Sequence, residues 1–167
     1  METLGLDRPA WLSEQKALTR QSEAPMAETP TPFRFPFRVR TSEVDFQGIV
    51  YNAHYLTFFD VAIHEFFKAL PYNYAALRPQ TGTDFHTVRA LVEFARPFRL
   101  DEDFVAEVAI GRIGRSSLTF ALALRVADET KPRVTGEVVW VHADQAASRS
   151  APLPAALLAL LDRHGRR

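Results

Sequence analysis

The residue types best suited to chemistry are concentrated in residues 45–55, which read DFQGIVYNAHY. The carboxylate of Asp45 could act as a general base toward water or attack an electrophilic carbon directly. Gly48 can adopt a positive φ and allows the backbone to approach a ligand closely. A purely structural interpretation stands beside this one, because Asp and Gly are both common in tight turns and Asp also caps helices.

A strongly apolar helix is predicted directly after this stretch, from Tyr55 to Leu70. Most of its polar side chains share one narrow stripe, made of Thr57, Asp60, His64 and Lys68. A helix that is apolar on its other sides is predicted to be buried, and a membrane span would need about 20 residues. Asp45 should therefore lie just before the N-terminus of a buried helix, where unpaired N–H groups favour a developing negative charge.

Composition favours a globular protein. Its balanced charge gives no electrostatic reason to expect nucleic acid or an anionic membrane as the main partner. The 167 residues are 47% hydrophobic, with 20 basic against 20 acidic side chains. Cysteine is absent, which excludes disulfides and thiolate ligands, and the five histidines show no ligand spacing. The sequence thus predicts no metal site and no membrane span, and without a secretory signal it predicts a cytoplasmic protein.

Residues 1–32 are rich in proline and polar side chains and are predicted to form a flexible extension. A single domain is predicted over residues 33–163, followed by a basic tail at 164–167. The domain shows one alternating apolar run, the central helix, four further alternating runs and a short closing helix at 154–163. One helix cannot cover both faces of such a sheet. The α+β sheet is therefore expected to curl around the helix and to pair its edges with a second subunit.

Residues 45–55 resemble the signature of hotdog-fold acyl-CoA thioesterases of the 4-hydroxybenzoyl-CoA thioesterase type, roughly D-x-x-G-[IV]-V-[YF]-x-x-x-Y before a long helix. The matching residues are Asp45, Gly48, Ile49, Val50, Tyr51 and Tyr55. The resemblance continues through LVEFARP at 91–97, Asp101 and GRSSLTF at 114–120, and it covers about residues 34–161. It implies a hotdog fold, with a five-stranded antiparallel sheet wrapped around one long helix. It also implies an acyl-CoA substrate, no cofactor, and a homodimer or homotetramer.

The resemblance implies roles for individual residues as well. Asp45 would be the nucleophile or general base, and the backbone N–H of Asn52 would polarise the thioester oxygen. Many relatives carry His where this chain has Asn52, so no imidazole role is carried over. Glu65, in the middle of the helix, is a second-rank candidate for orienting water or substrate. Three residues of the signature would contact substrate: Val50, Tyr51 and Tyr55.

A phosphate-binding turn is predicted after the third strand. Its guanidinium, hydroxyl and backbone groups could hold the phosphates of CoA, and they come from Arg112, Gly114, Arg115, Ser116 and Ser117. A hairpin with exposed arginines explains the same residues, but similar proteins have this region near a CoA groove between subunits. Arg96 is a weaker third arginine.

An apolar acyl pocket is also predicted. The aromatic side chains that suggest it are Phe46, Tyr51, Phe58, Phe59 and Phe66.

Two other functions remain open from the sequence. One is a non-catalytic module that binds an acyl thioester or an acyl carrier protein. The other is a hotdog hydratase or dehydratase, against which Asn52 counts because those enzymes usually pair a histidine with an acid.

Overall fold

The helices and strands follow one another in nearly the predicted order. The structure, a computed structural model, describes residues 31–161. In chain order the elements are β1 (Phe33–Arg38), α1 (His54–Ala69), α2 (Leu77–Thr81), β2 (Thr83–Phe94), β3 (Asp103–Ile113), β4 (Ser117–Arg125), β5 (Val134–Asp144), β6 (Arg149–Ser150) and α3 (Ala155–Leu161). Most of the extension predicted over 1–32 and the tail at 164–167 lie outside the described residues.

All strands belong to one antiparallel sheet with the order β1-β3-β4-β5-β2, and the two-residue β6 pairs with β5. The five long strands confirm the sequence prediction, whereas β6 was not predicted. Hairpins join β3 to β4 and β4 to β5. The register between β4 and β5 brings Phe120 opposite Val138 and Leu124 opposite Val134. The α+β hotdog architecture is therefore the observed one.

The core lies between α1 and the concave face of the sheet. Alternation dictates this face, since every second residue is buried from Phe104 to Ile110 of β3 and along β4. From α1 the core receives Tyr55, Phe58, Phe59, Ala62, Ile63, Phe66 and Phe67. Gly136 of β5 lies directly beneath the ring of Phe59, and a Cβ there would collide with the ring. The absence of a side chain at Gly136 thus lets the helix approach the sheet closely.

The polar stripe of α1 is exposed except at His64, whose ring packs against the buried Trp140 with centroids 5.3 Å apart. Asp60 and Lys68 are exposed, and Lys68 forms an ion pair with Glu65 at 2.6 Å. The helix begins and ends within one residue of the predicted bounds, because its apolar pattern is continuous. Every helix within residues 31–161 is too short or too polar to cross a bilayer.

The segment between α1 and β2 is more ordered than the predicted loop. It contains a short 3-10 turn and α2, which ends at Gly82 in the left-handed conformation (φ +70°). The signal was present, because glycine is the preferred residue just after a helix. The proline at position 79 and the shortness of the helix favoured a loop instead.

Strand β2 lies at one end of the sheet and exposes apolar side chains. A β-bulge between Thr87 and Arg89 interrupts the predicted alternation, so Val88 has no register partner on β5. Val88, Leu91 and Phe94 are all about half exposed. Within residues 31–161, β2 has a neighbouring strand only on its β5 side.

Candidate active site

Asp45 is held in a tight turn that its own atoms stabilise. Its backbone N–H donates to the carbonyl of Ile49 at 2.9 Å, and its carbonyl accepts from the N–H of Gly48 at 3.0 Å. One carboxylate oxygen, Oδ1, accepts from the N–H of Gln47 at 2.8 Å. Gly48 has a φ of +73°, which an L side chain would strain. The second oxygen, Oδ2, has no hydrogen bond within residues 31–161. The turn therefore orients the carboxylate and leaves one of its oxygens without a hydrogen bond among these residues.

The chain then runs as an extended segment between two neighbours. Residues Val44 and Val50 form an antiparallel bridge, and Ile49 forms another with Arg99. The N–H of Val50 donates to the carbonyl of Phe98 at 2.9 Å. These bonds join the Asp45 turn to the segment that follows β2, although the two are far apart in the sequence.

Helix α1 begins immediately after this segment. The turn from Tyr51 to His54 is closed by the bond from the His54 N–H to the Tyr51 carbonyl at 2.9 Å. Ala53 is the N-cap and offers no side-chain acceptor to the first helical turn. The N–H of Asn52 donates to no atom of the described residues. Free N–H groups at a helix start are suited to hold an anionic oxygen.

Residues 94–97, here called the 94–97 wall, face the Asp45 turn. Together the two segments enclose a cavity of about 560 Å³. Its lining residues are Asp45, Phe46, Gln47, Ile49, Val50, Tyr51, Asn52, Tyr55, Phe94, Ala95, Arg96 and Pro97. One apolar cavity is thus lined by the residues that carry the candidate carboxylate, the candidate N–H donor and one guanidinium, namely Asp45, Asn52 and Arg96.

Tyr55 ties the first turn of α1 to the far side of this cavity. Its hydroxyl accepts a hydrogen bond from the Phe98 N–H at 3.2 Å, and its ring contacts Phe94 with centroids 5.2 Å apart. Only 2% of Tyr55 is exposed, and this burial raises the pKa of the phenol. Tyr55 therefore stays neutral and both lines and braces the cavity.

An ion cluster behind the 94–97 wall was not predicted from the sequence. Glu129 accepts hydrogen bonds from Arg96 at 2.6 Å and from Arg133 at 2.8 Å. Arg133 also donates to Glu102 at 2.8 Å. The Arg133 guanidinium holds the pKa of Glu129 below its usual range. The signal available in the sequence was the opposite charge of Glu129 and Arg133, four residues apart in the turn before β5.

Glu65 lies away from the cavity. It is ten residues beyond Tyr55 in α1, which corresponds to about 15 Å along the helix axis. Its carboxylate accepts from Lys68. Within one chain, the structure does not bring Glu65 together with Asp45.

The predicted phosphate-binding turn is likewise remote from Asp45 within one chain. Ser117 is paired with Val141, whereas Leu124 and Val134 mark the cavity end of the same ladder. Seven strand residues span about 23 Å. The Ser116 carbonyl accepts from the His142 N–H at 2.8 Å, and the Arg115 carbonyl accepts from Leu153 at 2.9 Å. Both Arg112 and Arg115 are exposed.

The predicted aromatic pocket was partly wrong. Phe46 and Tyr51 do line the cavity, and Phe46 is 99% exposed. Phe58, Phe59 and Phe66 are instead buried core residues that do not line it. They occupy positions of α1 that point toward the sheet, which the composition of the stretch alone did not reveal.

Comparison with known proteins agrees with the fold and the signature. The family model described as the thioesterase-like superfamily matches residues 39–161. The acyl-CoA thioester hydrolase YbgC of Escherichia coli is 29% identical over 129 residues, which cover 77% of this chain and 95% of that protein.

Two solved structures are similar in fold. The 1,4-dihydroxy-2-naphthoyl-CoA thioesterase of Synechocystis has a TM-score of 0.73 at 15% identity, covering 78% of this chain and 95% of that one. The protein SAV2348 of Staphylococcus aureus, solved in complex with CoA, also has a TM-score of 0.73, at 18% identity, with 82% and 85% covered. At these identities the likeness concerns the fold alone. Since the family match covers most of the chain, the chain belongs to the thioesterase-like superfamily and has the hotdog fold that the sequence predicted.

Proposed function

We propose that this chain is an acyl-CoA thioesterase, which converts a thioester and water into a carboxylic acid and free CoA. The observation that carries the proposal is the shared cavity. Asp45 and Asn52 both line it, next to the start of α1, and the N–H of Asn52 donates to no atom of the described residues. The Escherichia coli relative YbgC is named as an acyl-CoA thioester hydrolase, which supports the same chemistry.

In the proposed reaction, the thioester carbonyl oxygen points at the N–H of Asn52 and at the first turn of α1. Negative charge that develops on this oxygen is stabilised by the N–H groups and the helix dipole. Asp45 either removes a proton from the attacking water or attacks the carbonyl carbon itself. The C–S bond then breaks, and the CoA thiolate leaves and takes up a proton. Where Asp45 has attacked directly, water then hydrolyses the mixed anhydride between Asp45 and the acyl group, which releases the carboxylic acid and restores the Asp45 carboxylate. Glu65 does not line the cavity, so the proposed reaction within one chain does not use it.

We further propose that two or more chains assemble. Val88, Leu91 and Phe94 of β2 and Phe46 of the Asp45 turn are exposed apolar side chains, and a second chain would cover them. The remote turn of Arg112 and Arg115 could then reach the CoA of a neighbouring chain. The cytoplasmic location stays a prediction.

Free-thiol release from a panel of acyl-CoAs tests the proposed function. Thiol release with at least one acyl group supports it, and a matched S-alkyl CoA, in which no thioester can be cleaved, serves as the control. A hydratase would consume an unsaturated acyl-CoA without releasing thiol. A binding module would retain acyl-CoA unchanged, so either result would reject hydrolysis.

A further inference from the structure

We propose that Arg133 is a positioning residue for the candidate active site. Its role is to hold the 94–97 wall against the segment that carries Asp45. Arg133 does not line the cavity itself. It acts through the residues that do. This inference rests on the proposed function for its kinetic consequence, but its structural consequence can be measured separately.

The backbone of Arg133 begins the attachment. After Phe94 the ladder between β2 and β5 ends, opposite Val134. The Arg133 carbonyl then accepts two further hydrogen bonds, from the N–H of Ala95 at 2.8 Å and of Arg96 at 3.0 Å. Any residue at position 133 would supply this carbonyl, so these two bonds do not require arginine.

The side chain makes the contacts that do require arginine. Its Nη1 donates to the Pro97 carbonyl at 3.1 Å, and its Cζ lies 5.0 Å from the centroid of the Phe98 ring. Phe98 in turn accepts from Val50 and donates to Tyr55. One guanidinium thus connects the end of the wall to both the Asp45 segment and the first turn of α1.

The charge of Arg133 is balanced on both sides. Only 13% of its side chain is exposed, so an unpaired charge there would be costly. Glu129 accepts from Nε and Nη2, and Glu102 accepts from Nη1. Hydrogen bonding to Glu129 raises the pKa of Arg133. Glu129 also holds Arg96, whose side chain is 56% exposed and lines the cavity.

Lysine cannot reproduce this arrangement. The planar guanidinium reaches two carboxylates and one carbonyl at once while its face covers an aromatic ring, whereas an ammonium group is a single compact charge. We therefore expect Arg133→Lys to restore the charge balance but only part of the geometry. Arg133→Met keeps the aliphatic length and removes every side-chain hydrogen bond.

Kinetics of Arg133→Met and Arg133→Lys provide the first test. Measured per folded molecule, well below the unfolding temperature, kcat/KM should fall about tenfold to a hundredfold in the Met variant, chiefly through KM. The Lys variant should lie between it and wild type. Arg34→Met is the control and should stay within about twofold, because it removes an exposed guanidinium from β1 while Glu107 keeps its second partner, Arg125. Unchanged kinetics in folded Arg133→Met would overturn the proposal.

Peptide-resolved hydrogen exchange provides the second test and needs no activity. In Arg133→Met, exchange should quicken in residues 94–99 and 46–55 and remain unchanged in 105–123 of β3 and β4. A uniform increase in the exchange rate over the whole sheet would show that Arg133 stabilises the fold in general, and it would reject the positioning role. If wild type releases no thiol from any acyl-CoA, the proposed function fails, and the exchange pattern alone then decides the role of Arg133.

Discussion

The hydroxyl of Tyr55 accepts a hydrogen bond from the backbone N–H of Phe98, at 3.2 Å, inside the protein. This bond connects the first turn of the central helix to the segment that follows the edge strand. The two residues are 43 positions apart in the chain. The walls of the cavity are thus tied together at a point where both would otherwise carry an unpaired polar group.

Replacing Tyr55 with Phe should lower the free energy of unfolding by about 1–3 kcal/mol, because the buried Phe98 N–H would lose its acceptor. Urea titration would measure the change. Tyr72→Phe is the matched control, since Tyr72 is half-buried and its hydroxyl has no hydrogen bond to any of residues 31–161; its effect should be within about 0.5 kcal/mol. Equal effects of the two substitutions would show that the bond to Phe98 contributes nothing.

Asp45→Asn should reduce turnover by about 10²–10⁴ while leaving the fold intact. The asparagine carbonyl can still accept from the N–H of Gln47, so the turn is preserved and only the basic, nucleophilic oxygen is lost. Steady-state hydrolysis and circular dichroism would check both parts. Asp103→Asn, which alters an exposed carboxylate paired with Arg38, should keep normal turnover. Near-normal turnover of Asp45→Asn would contradict the proposed mechanism.

Arg115→Ala should raise KM for acyl-CoA with little change in kcat, because the arginine is proposed to bind phosphate equally in the ground and transition states. An acyl-pantetheine thioester lacks these phosphates and should be hardly affected. Raising the salt concentration should weaken the wild-type preference for the CoA substrate.

Arg96→Ala is the comparison for that experiment. Arg96 lines the cavity of its own chain, whereas Arg115 lies at the opposite end of the sheet and would have to come from a second chain. A phosphate-dependent loss in Arg96→Ala alone would place the phosphates beside Arg96. A loss of equal size on both substrates would show that Arg115 is structural.

The protein should have a mass of at least two chains at low micromolar concentration, because β2 leaves apolar side chains and one strand edge uncovered within the described residues. Sedimentation velocity would measure it. Val88→Lys combined with Leu91→Lys should reduce the mass. Leu100→Lys, at a similarly exposed leucine outside β2, should not. A monomeric wild type would contradict this prediction.

Local patterns were sufficient for the central helix and the five long strands. The apolar period of α1 and the alternation along β3, β4 and β5 depend on neighbouring residues, so their bounds were predictable from the sequence. The excess of apolar strand surface over one helix then required a curled sheet. Where the pattern was broken by a local feature, as at the bulge beside Val88 or in the short α2, the prediction was incomplete.

In the candidate site, one part was predictable from the sequence and the other was not. The positions of Asp45, Gly48 and the helix start were evident from the sequence, because one turn and the helix that follows it are formed by consecutive residues. The second wall of the cavity was not, and neither was the position of Glu65 outside it. Arg133, which we propose holds this wall, meets Glu129 only four residues away, and a local charge pattern could have indicated that pair. Its contacts with Glu102 and Phe98 join segments that are distant in the chain. No local spacing encodes these two contacts, so the tertiary structure alone decided them.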